Sequence, residues 1–131
     1  MQLNFHHTGL AVRSIEESLP HYAAIFGPEA ISGKFKICSQ SVNVCFIHLG
    51  NQIYIELVEP SDDGSSIHRL LKKGINYYHV AYACPDIEQT VRQLISLGYK
   101  EQKYFSSEAF CGKRCIFLFK PDGNLIELIE Q

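Results

Sequence analysis

The chain has 131 residues, of which 46% are apolar and 20% charged, and its net charge is -2. That is an ordinary globular composition with enough length for one domain and a real core. The weak negative charge and the lack of a basic cluster argue against nucleic acid as a partner. No apolar run approaches the ~20 residues of a membrane span, and the opening "MQLNFHHTGL" lacks the basic start and apolar stretch of a secretory signal. The expectation is a cytoplasmic protein with no membrane partner. Its cysteines, Cys38, Cys45, Cys84, Cys111 and Cys115, include no C-x-x-C pair. They are read as small buried or half-buried thiols, with Cys111 and Cys115 the more exposed.

In chain order, "FHHTGLAV" predicts a first strand. Ser14 and Glu17 then form a capping box and Gly27 a stop, which predicts a helix between them. Pro20 lies inside it and is expected to bend it or shift its start. Stretches rich in β-forming residues follow at 34–38, 42–49 and 52–58. "SDDGSSIHRLLKKG" reads as a loop and a short helix. "YYHVAYAC" is a further strand, and Asp86 with Gln89 caps a second long helix that Gly98 ends. More β-forming stretches lie near 99–105, 114–119 and 124–130.

The two halves repeat. A shift of 72 residues lays His7 on His79, Ala11 on Ala83 and Glu16 on Glu88. One residue out of that register, "IYIELVE" lies over "NLIELIE", so Glu56 falls on Glu127 and Phe46 on Phe117. Each half reads βαβββ. The expected fold class is α+β, two pseudo-symmetric βαβββ modules forming a curved mixed sheet around a metal site. The expected organisation is a single domain over 1–131, with module 1 about 1–60, a connecting loop and helix about 61–75, and module 2 about 76–131.

Alternate residues of a strand share a face. Glu56 and Glu127 therefore sit among apolar neighbours on strands that are apolar on both sides. A carboxylate buried there needs a cation, donors or a proton. His7 and His79 are followed on their own faces by small residues, Gly9 and Ala11, and Ala81 and Ala83, which leave space beside each imidazole. Two histidines and two glutamates in repeat register point to a divalent metal, with His7, Glu56, His79 and Glu127 as ligands. Imidazole and carboxylate suit Co, Ni, Mn, Fe or Zn, and the lack of thiolate argues against a structural zinc site. His6, beside His7, falls on Tyr78 and faces the other way. His21, His48 and His68 have no repeat partner and are read as surface or helix residues. Glu59 and Glu130 also repeat, but each follows a strand end and is read as solvated.

The stretches "HHTGLAVRSIEESLPHY", "LGNQIYIELVEP", "YYHVAYACPDIEQTVRQL" and "KPDGNLIELIE", in this order, resemble the vicinal oxygen chelate superfamily that includes glyoxalase I. The resemblance covers nearly the whole chain. It implies paired βαβββ modules, the same four ligands, and often a homodimer. Within the superfamily, Ser66, Ile67, Leu70, Leu71, Lys73 and Gly74, together with "CGKRCIFLF", resemble methylmalonyl-CoA epimerases. Three features depart from them, the first being Tyr78, which stands where many epimerases have the first histidine of a pair. "FKPDGN" replaces the usual "HPK", and Asn43 stands where some epimerases carry an extra glutamate proposed as a proton acceptor.

The chemistry implied is removal of the proton next to a thioester carbonyl, with a metal stabilising the enolate. Glu127 is the first choice of general base and Glu56 the second. Asn43, Lys113, Arg114 and Lys120 are candidate substrate contacts, the three cations toward coenzyme A phosphates or a substrate carboxylate. Solvated surface charge is the alternative reading of those cations. The substrate class is an acyl-CoA or another thioester or hemithioacetal. The rival functions are a lactoylglutathione lyase of glyoxalase type and a metal-free drug-binding protein of the bleomycin-resistance type. The four ligands count against the second, and the extra glutamate counts against an extradiol dioxygenase.

Overall fold

The computed structural model covers all 131 residues. It has nine strands and three α-helices: β1 (Asn4–Ala11), α1 (Ile15–Phe26), β2 (Ile31–Ile37), β3 (Val42–Gly50), β4 (Ile53–Pro60), α2 (Ile67–Lys72), β5 (Tyr77–Cys84), α3 (Ile87–Ser96), β6 (Lys100–Glu101), β7 (Phe105–Ser107), β8 (Lys113–Lys120) and β9 (Asn124–Glu130). The α+β class and the twofold βαβββ order stand as expected. No helix is long and apolar enough to cross a membrane. The chain divides into two compact units, residues 7–78 and residues 1–6 together with 79–131.

In the first unit the strands run β2-β3-β4-β1. β3 lies antiparallel to β2 and β4, and β1 parallel to β4. A parallel neighbour needs a crossover, and α1 begins that crossover from β1. Ser14 accepts the Glu17 N–H as N-cap, and the helix runs on through Pro20 to Phe26. Pro20 therefore does not shift the start, because the Ser14 cap fixes it. One face of the strands packs under α1, where Leu10, Ile15, Cys45, Ile47, Ile55 and Leu57 form a buried cluster. The 61–75 connector belongs to this unit, with α2 set against β4.

The second unit repeats the plan as β5-β9-β8-β6, with β7 also on β8 and β5 parallel to β9. The stretch expected near 99–105 is two short strands, β6 and β7. Asp86 accepts the Gln89 N–H and caps α3. Ile87, Val91 and Leu94, spaced one and two helical turns apart, pack onto Cys84, Ile116, Leu118, Ile126 and Leu128. In each unit a 3₁₀ turn leads into the long central strand through left-handed backbone, Ser41 at φ 54° before β3, and Cys111 at φ 56° with Gly112 at φ 78° before β8. All five cysteines are free. Cys38 and Cys111 are exposed, whereas Cys115 is buried with Cys45 and Cys84, contrary to the exposure expected beside "GKR". It points inward on β8 against Ala81 and Ile129.

Candidate metal centre

Register decides which side chains meet. In the first unit Glu56 of β4 stands directly opposite Phe46 of β3 and Gly9 of β1. Its carboxylate lies on the sheet face away from α1, beside the imidazole of His7, with His7 Nε2 3.4 Å from Glu56 Oε1. His7 is 0% exposed and Glu56 4%. The Phe46 ring meets the His7 ring edge-on at 5.7 Å. Gly9 has no side chain to fill the space next to Glu56, as expected from the small residues after the histidine.

The second unit builds the same pair. Glu127 of β9 stands opposite Phe117 of β8 and Ala81 of β5. His79 Nε2 lies 3.1 Å from Glu127 Oε2, and both residues are buried, at 4% and 3% exposure. Phe117 meets the His79 ring edge-on at 5.2 Å. The sequence placed Phe46 on Phe117 in the repeat. Their use, a wall that fixes each imidazole, emerges from the strand register.

These distances carry chemical information. Two donors each about 2.1 Å from one metal ion lie about 3.0 Å apart at a right angle and about 3.4 Å apart at the tetrahedral angle. Both His–Glu separations fall in that range. The four buried donors, two imidazoles and two carboxylates with one pair in each unit, form a set compatible with a divalent metal.

Of the expected substrate contacts, the register separates Lys113 from the rest. Asn43 stands opposite Glu59, an odd number of residues from Phe46, and therefore faces α1. Its Nδ2 donates to Glu59 Oε2 at 2.8 Å. The residues of β3 on the ligand face are Val42, Val44, Phe46 and His48, so β3 places valine, not asparagine, beside the histidine–glutamate pair. Arg114 is the image of Asn43 and also turns to the helix side. Its Nη2 and Nε donate to Glu130 at 2.8 and 3.1 Å, and its Nη1 donates to Glu88 of α3 at 3.1 Å. Lys120 lies with its Nζ over the Tyr99 ring at 6.0 Å, also on the helix side. Lys113 is exposed and shares the face of Phe117 and Glu127.

Glu59 is not the solvated residue expected, with its side chain 13% exposed, whereas Glu130 keeps 32% exposure but is paired. Glu59 Oε1 accepts the N–H of Ile15, the first residue of α1, at 2.7 Å, and Lys34 Nζ lies 3.6 Å from Oε2. Burial pushes the Glu59 carboxyl up, but the Ile15 N–H, the Asn43 amide and Lys34 together hold it below the ordinary glutamate value. Glu130 is held low chiefly by its hydrogen bonds from Arg114. Both residues tie a strand end to the helix of their unit. Their repetition was visible in the sequence; their partners lie 16 or more residues away and were not. His6, expected to do nothing, is half-buried with its ring edge-on to Phe110 at 5.2 Å.

The chain belongs to the glyoxalase/bleomycin resistance protein/dioxygenase superfamily, whose family model matches residues 6–117. This bears out the vicinal oxygen chelate resemblance read from the motifs. The chain is 30% identical over 127 residues to YqjC of Bacillus subtilis (strain 168), covering 95% of this chain and 89% of that protein. Among solved structures it is similar to a hypothetical protein from Bacillus halodurans C-125, with a TM-score of 0.83, 27% identity, and 100% and 96% of the two chains covered. It is also similar in fold to methylmalonyl-CoA epimerase from Mycobacterium tuberculosis, with a TM-score of 0.83, 24% identity, and coverage of 97% and 87%. The Streptomyces coelicolor methylmalonyl-CoA epimerase, solved in complex with 2-nitronate-propionyl-CoA, gives a TM-score of 0.84, 23% identity, and coverage of 99% and 96%.

Proposed function

We propose that His7, Glu56, His79 and Glu127 together hold one divalent metal ion, and that the protein is an isomerase that removes the proton next to a thioester carbonyl. The substrate is an acyl-CoA of the methylmalonyl-CoA kind. The observation that carries this reading is the duplicated pair: each unit buries one imidazole and one carboxylate at a separation suited to neighbouring ligands of one ion. A carboxylate buried against an imidazole in an apolar setting needs a counter-charge or donors, and a divalent cation supplies the charge. Membership in the superfamily and the fold shared with the epimerases agree with it.

The metal, when bound, polarises a substrate carbonyl oxygen and so acidifies the neighbouring C–H. The chain's own residues do the rest. The two histidines, wedged by Phe46 and Phe117, hold their Nε2 atoms in place. An oxygen of Glu127 accepts the α-proton as general base, and Glu56 is the corresponding carboxylate of the other unit. Apolar Val44 and Phe46, together with Ile129 and Cys115, keep water from these carboxylates. Return of the proton to the opposite face of the same carbon gives epimerisation.

A second reading is a glyoxalase-type lyase, in which the proton returns to the neighbouring carbon of a hemithioacetal. Val44 on the ligand face of β3 favours it, because that strand adds no carboxylate base to the two glutamates. The two readings are separated by metal-loaded protein in heavy water, with α-proton exchange followed for methylmalonyl-CoA and for a glutathione hemithioacetal. Exchange into methylmalonyl-CoA supports the first. Stoichiometric metal in the purified protein, lost in His7→Ala and Glu127→Ala, supports the ligand set. A protein that takes up no metal after supplementation overturns both readings and leaves the metal-free binding role.

A further inference from the structure

In the first unit a row of rings leads from the buried ligand toward solvent. The His7 ring meets Phe46 at 5.7 Å, Phe46 meets Tyr54 at 5.8 Å, and Tyr54 stacks on His48 at 5.0 Å with 28° between planes. Burial falls along the row: His7 and Phe46 are buried, Tyr54 is half-buried and His48 is exposed. The alignment follows from the strand register. Tyr54 and His48 are directly opposite on β4 and β3, as are Glu56 and Phe46 two pairs further on, so all four share the ligand face. His48 is held by the stacking while its ring nitrogens stand clear of any protein partner.

The second unit does not repeat this ending. Leu125 and Phe119 occupy the places of Tyr54 and His48 and stand opposite each other in the same way. The two units share the ligand pair and its phenylalanine, then diverge. One row ends in two rings with hydrogen-bonding groups, the other in hydrocarbon. A pseudo-symmetric ligand set does not need that difference, whereas a substrate with unlike ends does.

We infer that Tyr54 and His48 are substrate-positioning residues that carry the amide-bearing thiol arm of an acyl thioester outward from the metal-binding face. Flat rings accept a thin, extended chain and its planar amides, and a fixed imidazole N–H and a phenol supply hydrogen bonds at the open end. The inference rests on the thioester reading, and it adds which side the arm leaves by and which residues read it.

The test uses metal-loaded protein and two probes that share the propionyl group, propionyl-pantetheine and S-methyl thiopropionate. Dissociation constants come from NMR titration, and α-proton exchange in heavy water is recorded on the same samples. Wild type is expected to bind the arm-bearing probe at least about tenfold more tightly, the size of one or two hydrogen bonds. The double variant His48→Leu, Tyr54→Phe is expected to lose that preference while keeping its metal content and its affinity for the methyl thioester. A role confined to structure would weaken both probes alike. The inference is overturned if wild type shows no preference, or if the variant keeps it. Exchange without a preference leaves the proton chemistry standing and removes the arm track. A preference without exchange does the reverse.

Discussion

Outside the proposed ligand set, Glu59 and Glu130 are two carboxylates in repeat register with different partners. Glu59 receives a backbone N–H from the start of α1 and the amide of Asn43. Glu130 receives a two-pronged guanidinium from Arg114, the image of Asn43. The same strand position thus solves one problem, fastening a helix N-terminus to the sheet, with a neutral donor in one unit and a charged one in the other. Glu59→Ala removes the acceptor for Ile15 and leaves the half-buried Asn43 amide without its acceptor. It is expected to lower stability by about 1–2 kcal/mol, read as a shift in urea midpoint, with metal content unchanged. The same acceptor makes stability pH-dependent. Its folded pKa lies below the ordinary glutamate value of 4.5. The stabilisation it gives is therefore present above that value and is lost as pH falls through the lower folded pKa. Urea midpoints at pH 6 and at pH 3.5 should differ less in Glu59→Gln than in wild type.

At the level of elements, the two helices show how much a cap decides. α1 keeps its start at Ile15 although Pro20 sits in its second turn, because Ser14 and Glu59 both accept N–H groups at its first turn. Pro20 is exposed and lacks the N–H that would bond the Glu16 carbonyl. Pro20→Ala is expected to raise the thermal midpoint, by the equivalent of about 1 kcal/mol or more. α3 depends on Asp86 alone for its side-chain cap, and Asp86→Ala should cost about 1 kcal/mol, measured by urea unfolding. The strands carry the specificity. A shift of β3 by one residue against β4 would turn Phe46 and Val44 toward α1 and Asn43 toward the ligand face, since side chains alternate. The bulge between Ile31 and Lys34 in β2 confines the irregularity to the outer strand and leaves the β3–β4 register intact from Val42 to His48.

For the whole molecule, a divalent ion held by the four proposed ligands would offset the cost of burying two carboxylates. A divalent ion that binds the folded chain and not the unfolded one adds about 2.7 kcal/mol at a hundred times its dissociation constant. Addition of a chelator should lower the thermal midpoint of the metal-loaded protein by several degrees. Glu127→Ala should abolish that sensitivity. A chelator-insensitive midpoint in protein that demonstrably contains metal would mean the ion sits elsewhere than on these ligands.

The sequence by itself determined the repeat, and with it the α+β class, the βαβββ order and the four buried donors, because duplication places equivalent residues at equivalent offsets and burial follows from alternation. It also marked Phe46 and Phe117 and the N-caps of both long helices, which depend on neighbours within a few positions. Only the tertiary structure decided what Asn43, Glu59, Arg114 and Glu130 do. Each depends on which residue of a neighbouring strand stands opposite, and a one-residue difference in register sends a side chain to the ligand face or to the helix. By that parity Asn43, Arg114 and Lys120 turn from substrate contacts into residues of the helix side, Val44 takes the inward place on β3, and His48, read from the sequence as a surface residue, joins the face of Glu56.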